Sequence, residues 1–528
     1  MELIKTDLFG RKDILVFKNR PKSIIEVLQD QVAKNRDKIA LVDERRHLTF
    51  EQLDRYSTNL AGYLQKEMGI KKGDRVAILI GNRIEFPLFV YAIAKIGAIL
   101  VPINIRLAKA EVDFILHNCE PTVVAYEEEF VETVEEILLK ESTALQGIKK
   151  INVEQLDSIY ENDENASSFV LADIDDEDSL FIMYTSGTTG RPKGAIVSHI
   201  NVIHSILNYQ KIFQTDSTLK TIIAVPIYHI TGLVAQFLHL VYIGGTSYLM
   251  KRYQNEKYLK LVLDEKVNFL FNVPTIFVML ASTEEFKKHS FDFVKKVAYG
   301  GSPIYLQTLQ TLKEAFPNAK LHNAYGATET TSPTTLMPLE YPDSKASSVG
   351  KAVYGAQVKI INEKGEECGP NEIGELYIKG PMVIKGYWNN EKANEESFED
   401  GFWKSGDIGV VDEDGFYYIY DRKKDVINRG GEKVFSVEVE NVLKRFPGIV
   451  EAAVVGVPDE VFGERVKAFI VGEKIDQQFI EELKSYCHEN LAKYKVPEYF
   501  EVLDSLPKNA AGKVMKEKLR AQVSSGSN

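Results

Sequence analysis

The sequence predicts an α/β protein: a large N-terminal domain of α/β subdomains plus a small antiparallel β region, followed by a small α+β C-terminal domain. Three observations predict it. Up to about residue 340, short apolar runs alternate with amphipathic helical stretches, the pattern of βαβ units. Val358–Ile361, Gly374–Ile378 and Gly415–Ile419 are short strands set between Gly/Asn/Asp turns, as in an antiparallel meander. A charged cluster, Asp421-Arg422-Lys423-Lys424-Asp425, then precedes a last module in which strands and helices mix. The expected boundaries are residues 1–420, a connector at 421–425, and residues 426–528.

Taken in order, each element has a local cause. Thr49-Phe50-Glu51-Gln52 is a capping-box pattern opening an amphipathic helix with Leu53, Leu60 and Leu64 on one face. Val76–Ile80 reads as a strand. A helix over Glu85–Ile96 follows, with Pro87 tolerated in its first turn, and Ile99–Val101 is the next strand. This strand–helix–strand unit implies parallel pairing. Leu180–Tyr184 and Ala195–Val197 read as buried strands. Beyond the charged cluster the pattern predicts a helix over Ser436–Phe446, a strand pair at Ile449–Gly456 and Val466–Val471, and a helix over Phe479–Leu491.

Composition sets limits on function. A chain of 528 residues with 44% hydrophobic residues supports a large core and more than one domain. The net charge of −12, without a basic block, argues against a nucleic-acid partner. Cys119, Cys368 and Cys487 show neither metal-ligand spacing nor a disulfide framework, as expected of a cytoplasmic protein. Met1–Lys18 lacks the apolar core of a signal peptide. Thr221–Met250 has no Asp, Glu, Lys or Arg, a length that would span a bilayer. Pro226, Gly232, Gly244 and Gly245 interrupt it, and His229, Gln236 and His239 would be costly in lipid. We read it as strand, turn, helix and strand within a folded core, and no integral membrane segment is expected.

The stretch with the most specific chemistry is Met183–Ala195, MYTSGTTGRPKGA. Its glycines let backbone N–H groups approach a ligand, its Ser and Thr add donors, and Arg191 and Lys193 add positive charge: the composition of a phosphate cradle. A surface linker has a similar composition, but a linker does not usually sit between two buried strands. The loop is not the P-loop of nucleotide hydrolases, because Lys193 precedes Gly194 rather than a Ser or Thr. Taken singly, the other candidates are modest. Tyr325-Gly326-Ala327-Thr328-Glu329 reads as a turn before a helix, Ser405-Gly406-Asp407 as an ordinary turn, and Lys508–Lys513 as a solvated tail. His229 in an apolar segment reads as a core histidine.

The order of these motifs resembles that of the adenylate-forming superfamily, which comprises acyl-CoA synthetases, adenylation domains and luciferases. The resemblance covers nearly the whole chain and is most like a fatty-acid or aryl-acid CoA ligase. It implies that Thr185, Ser186, Gly187, Thr188, Thr189, Gly190 and Lys193 cradle the phosphates of ATP, that Thr328 touches the α-phosphate, and that Glu329 holds Mg²⁺. It implies that Gly300, Gly301 and Ser302, with Asn323, Ala324 and Tyr325, wall the adenine, and that Asp407 and Arg422 bind the ribose. Lys513 matches the lysine that bridges acyl carboxylate and phosphate. Lys424 matches the hinge about which a mobile C-terminal domain rotates between half-reactions. Gly430 and Gly431 match the turn lining the pantetheine tunnel. Departures are Lys433, where many relatives have Asn, and Ser436-Val437, where many have Pro; both bear on coenzyme A binding rather than on reaction class.

The chemistry fits these roles. A carboxylic acid is already ionised at neutral pH, so adenylation needs no general base, only charge neutralisation as pyrophosphate leaves. Coenzyme A then attacks the acyl-adenylate and AMP departs. Free coenzyme A is the expected acceptor, because little chain follows Lys513 to hold a carrier domain. Amino-acid-activating relatives place an Asp in the segment matching Ile227–Gly232; none occurs here, so an apolar or aromatic acid is expected. His229 matches the aromatic gate beside the acyl site, which Val234, Phe237 and Leu238 would line. Two alternatives stay open: transfer to a carrier protein or to oxygen, and a non-catalytic nucleotide-binding regulator, against which the presence of Glu329 and Lys513 argues. A homodimer is also left open.

Overall fold

The computed structural model describes residues 2–139, 145–185, 191–301, 306–509 and 513–525. The chain divides into two compact units, Met1–Val358 with Ile378–Trp403, and Lys359–Tyr377 with Lys404–Asn528. It passes between them within the strands Gln357–Ile361, Gly374–Lys379 and Phe402–Val411.

The first unit holds two large sheets. The six-stranded sheet runs in the order Lys193–Ser198, Ser179–Thr185, Ile99–Pro102, Arg75–Leu79, Val123–Tyr126, Lys149–Asn152. All its pairs are parallel except the first, an antiparallel hairpin in which Lys193 lies opposite Thr185. The nine-stranded sheet places Lys320–Tyr325, Lys296–Gly300, Phe269–Asn272, Lys220–Ile223 and Thr246–Leu249 side by side and parallel. Helix Glu85–Ile96 is buried along its whole length, as a helix apolar on all sides must be. Its one ammonium, Lys95, is 3% exposed and is satisfied by the carbonyl and carboxylate of Asp54 and the hydroxyls of Ser57 and Thr58.

The local signals place most elements. Thr49 and Gln52 form the reciprocal capping box on helix Phe50–Lys66, at 3.1 and 2.9 Å. The charge-free stretch resolves into strand Lys220–Ile223, a π-helical segment Thr231–Leu238, helix His239–Ile243 and strand Thr246–Leu249. No described helix is long and apolar enough to cross a membrane. The N-terminal alternation of charged and apolar residues is a hairpin, Leu3–Leu8 with Arg11–Phe17, which buries Ile14 and Val16.

In the second unit, Phe402–Val411 pairs antiparallel with Tyr417–Arg422. Ser405-Gly406-Asp407 is therefore not a free-standing turn. It lies inside this strand, where Gly406 takes a positive φ of 70° just ahead of the paired stretch that begins at Asp407. The last module sets Ile449–Asp459 antiparallel to Gly463–Gly472, with Tyr499–Val502 parallel on the latter's other edge. Helices Ser436–Leu443 and Gln477–Asn490 cover it with Val439, Leu443, Leu483 and Cys487. The first of these ends before the expected Phe446, because Phe446 precedes Pro447 and the residue before a proline is driven out of helical geometry.

Four buried histidines in the first unit are held neutral by desolvation. His199, His239 and His322 are pushed down to about 4, and His204, whose Nε2 accepts from the Phe17 N–H, to about 3. Each therefore takes up its proton preferentially in the unfolded chain, whose value is about 6.5. Stability is complete above that pH and falls as pH drops toward 4. The expected loss at pH 5 is roughly 2 kcal/mol per histidine. Unfolding midpoints at pH 7.5, 6 and 5 should fall in that order, and His204→Gln should remove part of the slope; a midpoint constant down to pH 5 would contradict this account.

Candidate active site

The hairpin Ser179–Thr185/Lys193–Ser198 is fastened along its outer edge by the segment Gly386-Tyr387-Trp388. Ile196 N–H donates to Gly386 O at 3.0 Å, and Trp388 N–H to Gly194 O at 2.7 Å. Gly194 has no room for a side chain: a Cβ there would lie 2.7 Å from Ile182 Cγ2. The loop residues Ser186, Gly187, Thr188, Thr189 and Gly190 lie outside the described residues, as does Ser302. The two ends of the loop are fixed by the Lys193–Thr185 register.

Glu329 meets this hairpin. It sits in the short 3₁₀ turn Thr328–Thr330 that follows strand Lys320–Tyr325. Thr185 Oγ1 donates to Glu329 Oε1 at 3.4 Å, and Tyr387 OH donates to the same oxygen at 3.0 Å. Trp403 Nε1–H donates to the Tyr387 hydroxyl at 3.4 Å, and the Lys193 ammonium lies 5.3 Å from the Tyr387 ring centroid. Burial and the Glu329 carboxylate raise the Tyr387 phenol above its ordinary range, so it remains a donor. Thr185, Lys193, Thr328 and Glu329, distant in sequence, thus come together.

Gly300, Gly301, Asn323, Ala324 and Tyr325 lie at the carboxyl ends of adjacent parallel strands, where open α/β sheets bind ligands. Gly300 pairs with Ala324, and a Cβ on it would strike Ala324 O at 2.3 Å; Gly301 has φ +83°. Asn323 Nδ2 donates to Ser348 O at 3.3 Å. His229 follows Pro226 in a tight turn, its ring edge-on to Tyr228 at 4.9 Å. Asn82 staples the chain leading into this turn, donating to Ile223 O and Val225 O and accepting from Ile227 N–H, all within 2.9 Å. Val234, Phe237 and Leu238 are buried on the π-helical segment.

In the second unit, Asp407 is 6% exposed and lies opposite Arg422 in the ladder, with Arg422 Nε 2.8 Å from Asp407 Oδ1. Glu375 braces the same region, accepting from Gly406 N–H at 3.1 Å and from Lys423 at 2.8 Å. Gly430 and Gly431 form the turn between strands Ile427–Arg429 and Glu432–Val434, with φ of 59° and 89° that favour glycine. Lys433 pairs with Glu363 at 2.7 Å. Of the segment Lys508–Lys513, residues 510–512 lie outside the described residues, and Lys508, Asn509 and Lys513 are paired rather than a free tail. Lys508 bridges Val514, Asn509 N–H donates to Lys513 O, and Lys513 N–H donates to Asn509 Oδ1, both at 2.9 Å.

Tyr387, Trp403, Asn82 and Glu375 are the residues sequence reasoning missed. Only Gly386-Tyr387-Trp388, two aromatic residues after a glycine, carried a signal that pointed toward them.

A paired hairpin flanking a Gly/Ser/Thr loop, a carboxylate beside its foot and a separate C-terminal module define an adenylate-forming enzyme. Sequence comparison agrees: the profile of the AMP-binding enzyme family matches residues 28–388, and that of the AMP-binding enzyme C-terminal domain matches residues 438–513. The chain belongs to this family. It is 36% identical to the 2-succinylbenzoate–CoA ligase of Bacillus licheniformis, over 92% of this chain and 96% of that one. It is 33% identical to a long-chain-fatty-acid–CoA ligase of Mycobacterium tuberculosis, over 90% and 93%. Among solved structures, the o-succinylbenzoate coenzyme A synthetase of Bacillus subtilis with ATP and magnesium superposes with a TM-score of 0.83 at 31% identity, covering 96% of this chain and 100% of that one. The chain is accordingly an AMP-forming acid–thiol ligase that uses ATP, Mg²⁺ and coenzyme A.

The donor set suits a magnesium nucleotide. Mg²⁺ keeps several waters and takes one or two carboxylates plus substrate phosphates, and Glu329 offers one carboxylate beside the loop. Among the described residues no group of three or more His, Cys, Asp or Glu forms an all-protein cage. Because Tyr387 holds that carboxylate, Tyr387→Phe should lower the adenylation rate about tenfold, the weight of one hydrogen bond to a charged group. Pyrophosphate release measured across a Mg²⁺ series checks this, and a parental rate at every Mg²⁺ concentration would show the hydroxyl to be idle.

Proposed function

We propose that the chain activates an apolar carboxylic acid, fatty or aromatic, with the roles that follow. Thr185 and Lys193, with Ser186–Gly190 of the loop, bind the ATP phosphates, and Thr328 contacts the α-phosphate. Glu329 holds Mg²⁺, which supplies positive charge against the phosphates. Gly300, Gly301, Ser302, Asn323, Ala324 and Tyr325 enclose the adenine. Asp407 accepts from the ribose hydroxyls, a task suited to a carboxylate with two oxygens, and Arg422, paired with it, binds the ribose as well. The single observation that carries this reading is the convergence of Thr185 and Glu329 at the foot of the loop.

The substrate carboxylate attacks the α-phosphorus already ionised; pyrophosphate leaves, and Lys513 bridges the acyl carboxylate and the phosphate during that step. His229 gates the acyl site, and Val234, Phe237 and Leu238 line it. The run Ile227–Gly232 holds no acid to pair with a substrate ammonium, which supports an acid without an amino group. In the second half-reaction the thiol adds to the acyl carbonyl, AMP leaves, and the pantetheine arm passes Gly430 and Gly431 after rotation about Lys424. The connector at 421–425 is the hinge between residues 1–420 and 426–528 in this reading. The named substrates of the relatives, 2-succinylbenzoate and long-chain fatty acids, are the first acids to try. Three free cysteines, two of them buried, support a cytoplasmic setting.

Two measurements test the proposal. A pyrophosphate-release panel of fatty and aryl acids, run with and without coenzyme A, should show acid-dependent release and coenzyme-A-dependent thioester. Release without any thioester would point instead to transfer to a carrier protein. Second, Lys513→Ala should cut acyl-adenylate formation by 100-fold or more, about 2.7 kcal/mol in barrier. It should leave thioester formation from preformed acyl-adenylate within a few fold. Equal losses in both half-reactions would remove Lys513 from its role.

A further inference from the structure

The C-terminal helix Lys516–Ser525 begins three residues after Lys513, and two of its side chains, Glu517 and Arg520, reach the charged connector. The Lys516 ammonium, 13% exposed, lies 2.7 Å from Glu440 Oε1 and donates to Ser436 Oγ at 2.5 Å. Ser436 in turn donates from both its backbone N–H and its hydroxyl to Asp421 Oδ2, each at 2.6 Å. Glu517 pairs with Lys424 at 3.0 Å. Arg520 donates to Asp425 Oδ1 at 2.6 Å and to the backbone carbonyl of Lys424 at 3.2 Å. On its apolar side, Leu519 is fully buried with Ala453, Val455 and Phe469.

The helix is therefore anchored twice, through Leu519 to the sheet of the last module and to residues 421–425, directly by Glu517 and Arg520 and by way of Ser436 from Lys516. The described residues ahead of it are hydrogen-bonded to one another as well. Lys513 sits at the base of a hairpin closed by the Lys508–Val514 bridge, and Met515 N–H donates to Pro507 O at 2.8 Å. Only Val514 and Met515 separate Lys513 from the helix whose Lys516, Glu517 and Arg520 make these contacts.

We propose that Lys516 and Arg520 are positioning residues that couple the connector Asp421–Asp425 to Lys513, so that the placement of the adenylation lysine follows the conformation of the connector. The proposal rests on the reading of Lys513 and of the hinge given above. Ser436 has a specific part in it: a proline there would have neither the N–H nor the hydroxyl that Asp421 accepts from. The exposed Lys424–Glu517 pair adds little by itself. The weight falls on the partly buried contacts of Lys516 and Arg520, where losing one partner strands the other.

The test uses the full chain and both half-reactions. Arg520→Ala should slow acyl-adenylate formation at least tenfold with KM for ATP changed less than threefold, and should leave thioester formation from preformed acyl-adenylate within threefold. Arg520→Lys, which keeps the charge on Asp425, should recover at least half of the lost rate. Because Lys516→Met leaves Glu440 buried without its cation, that variant is read only if its thermal midpoint stays near the parent's; Arg520→Ala carries the test if it does not. Equal slowing of the two half-reactions, or slowing of neither, overturns the coupling. Lys513→Ala, run alongside, separates the two ideas. If it spares adenylation, the reading of Lys513 fails and the proposal with it; if it abolishes adenylation while Arg520→Ala does not slow it, the coupling alone fails.

Discussion

The first unit turns on one oxygen atom. Glu329 Oε1 accepts from Thr185 and from Tyr387, and those donors belong to different parts of the chain. Thr185 ends a strand of the six-stranded sheet, Glu329 follows a strand of the nine-stranded sheet, and Tyr387 comes from the segment that returns to the first unit. The carboxylate thus ties two sheets and a return segment at the place where the Gly/Ser/Thr loop begins. Neutral donors hold it without cancelling its charge. A salt bridge at the same place would satisfy Glu329 but would use the negative charge that a metal ion needs.

The scaffold behind that junction is built to keep the loop ends still. Parallel strands buried on both faces need no exposed edge in the middle of a sheet, and helix Glu85–Ile96 fills the space beside them. At the edge of the six-stranded sheet the hairpin would present unpaired backbone groups. Gly386-Tyr387-Trp388 satisfies them with two backbone hydrogen bonds, and the same segment delivers the Tyr387 hydroxyl. One device therefore closes a sheet edge and completes the site, which explains why a short aromatic segment far from the loop in sequence belongs to it.

What could be read in the sequence was what is local. The capping box at Thr49, the largely apolar helix Glu85–Ile96 and the two strands flanking the loop depend on neighbours a few residues away. All stand in the structure near the expected bounds. The meeting of Thr185 with Glu329 could be named only through a family resemblance, since no periodicity links residues so far apart. Tyr387 had no such help: an aromatic residue after a glycine is ordinary until a carboxylate is found beside it. Ser405-Gly406-Asp407 misled for a related reason. A Ser-Gly-Asp run marks a turn when seen alone, but here the strand Phe402–Val411 continues through it, and its ladder to Tyr417–Arg422 starts at Asp407 and brings it against Arg422.

Charge raises a last point. The chain has a net charge of −12, yet its co-substrate ATP is a polyanion. Charges farther than about 8 Å are largely screened at physiological ionic strength, so the net value bears little on binding. What matters is the immediate surface, and from Met183 to Ala195 there is no acid, only Arg191 and Lys193 with glycines and hydroxyls. Glu329 is the exception placed at its foot. A lone carboxylate beside bound phosphates is repulsive unless a cation lies between them. In the role proposed for it, Glu329 therefore requires nucleotide and divalent ion to arrive together, because alone it would repel the phosphates.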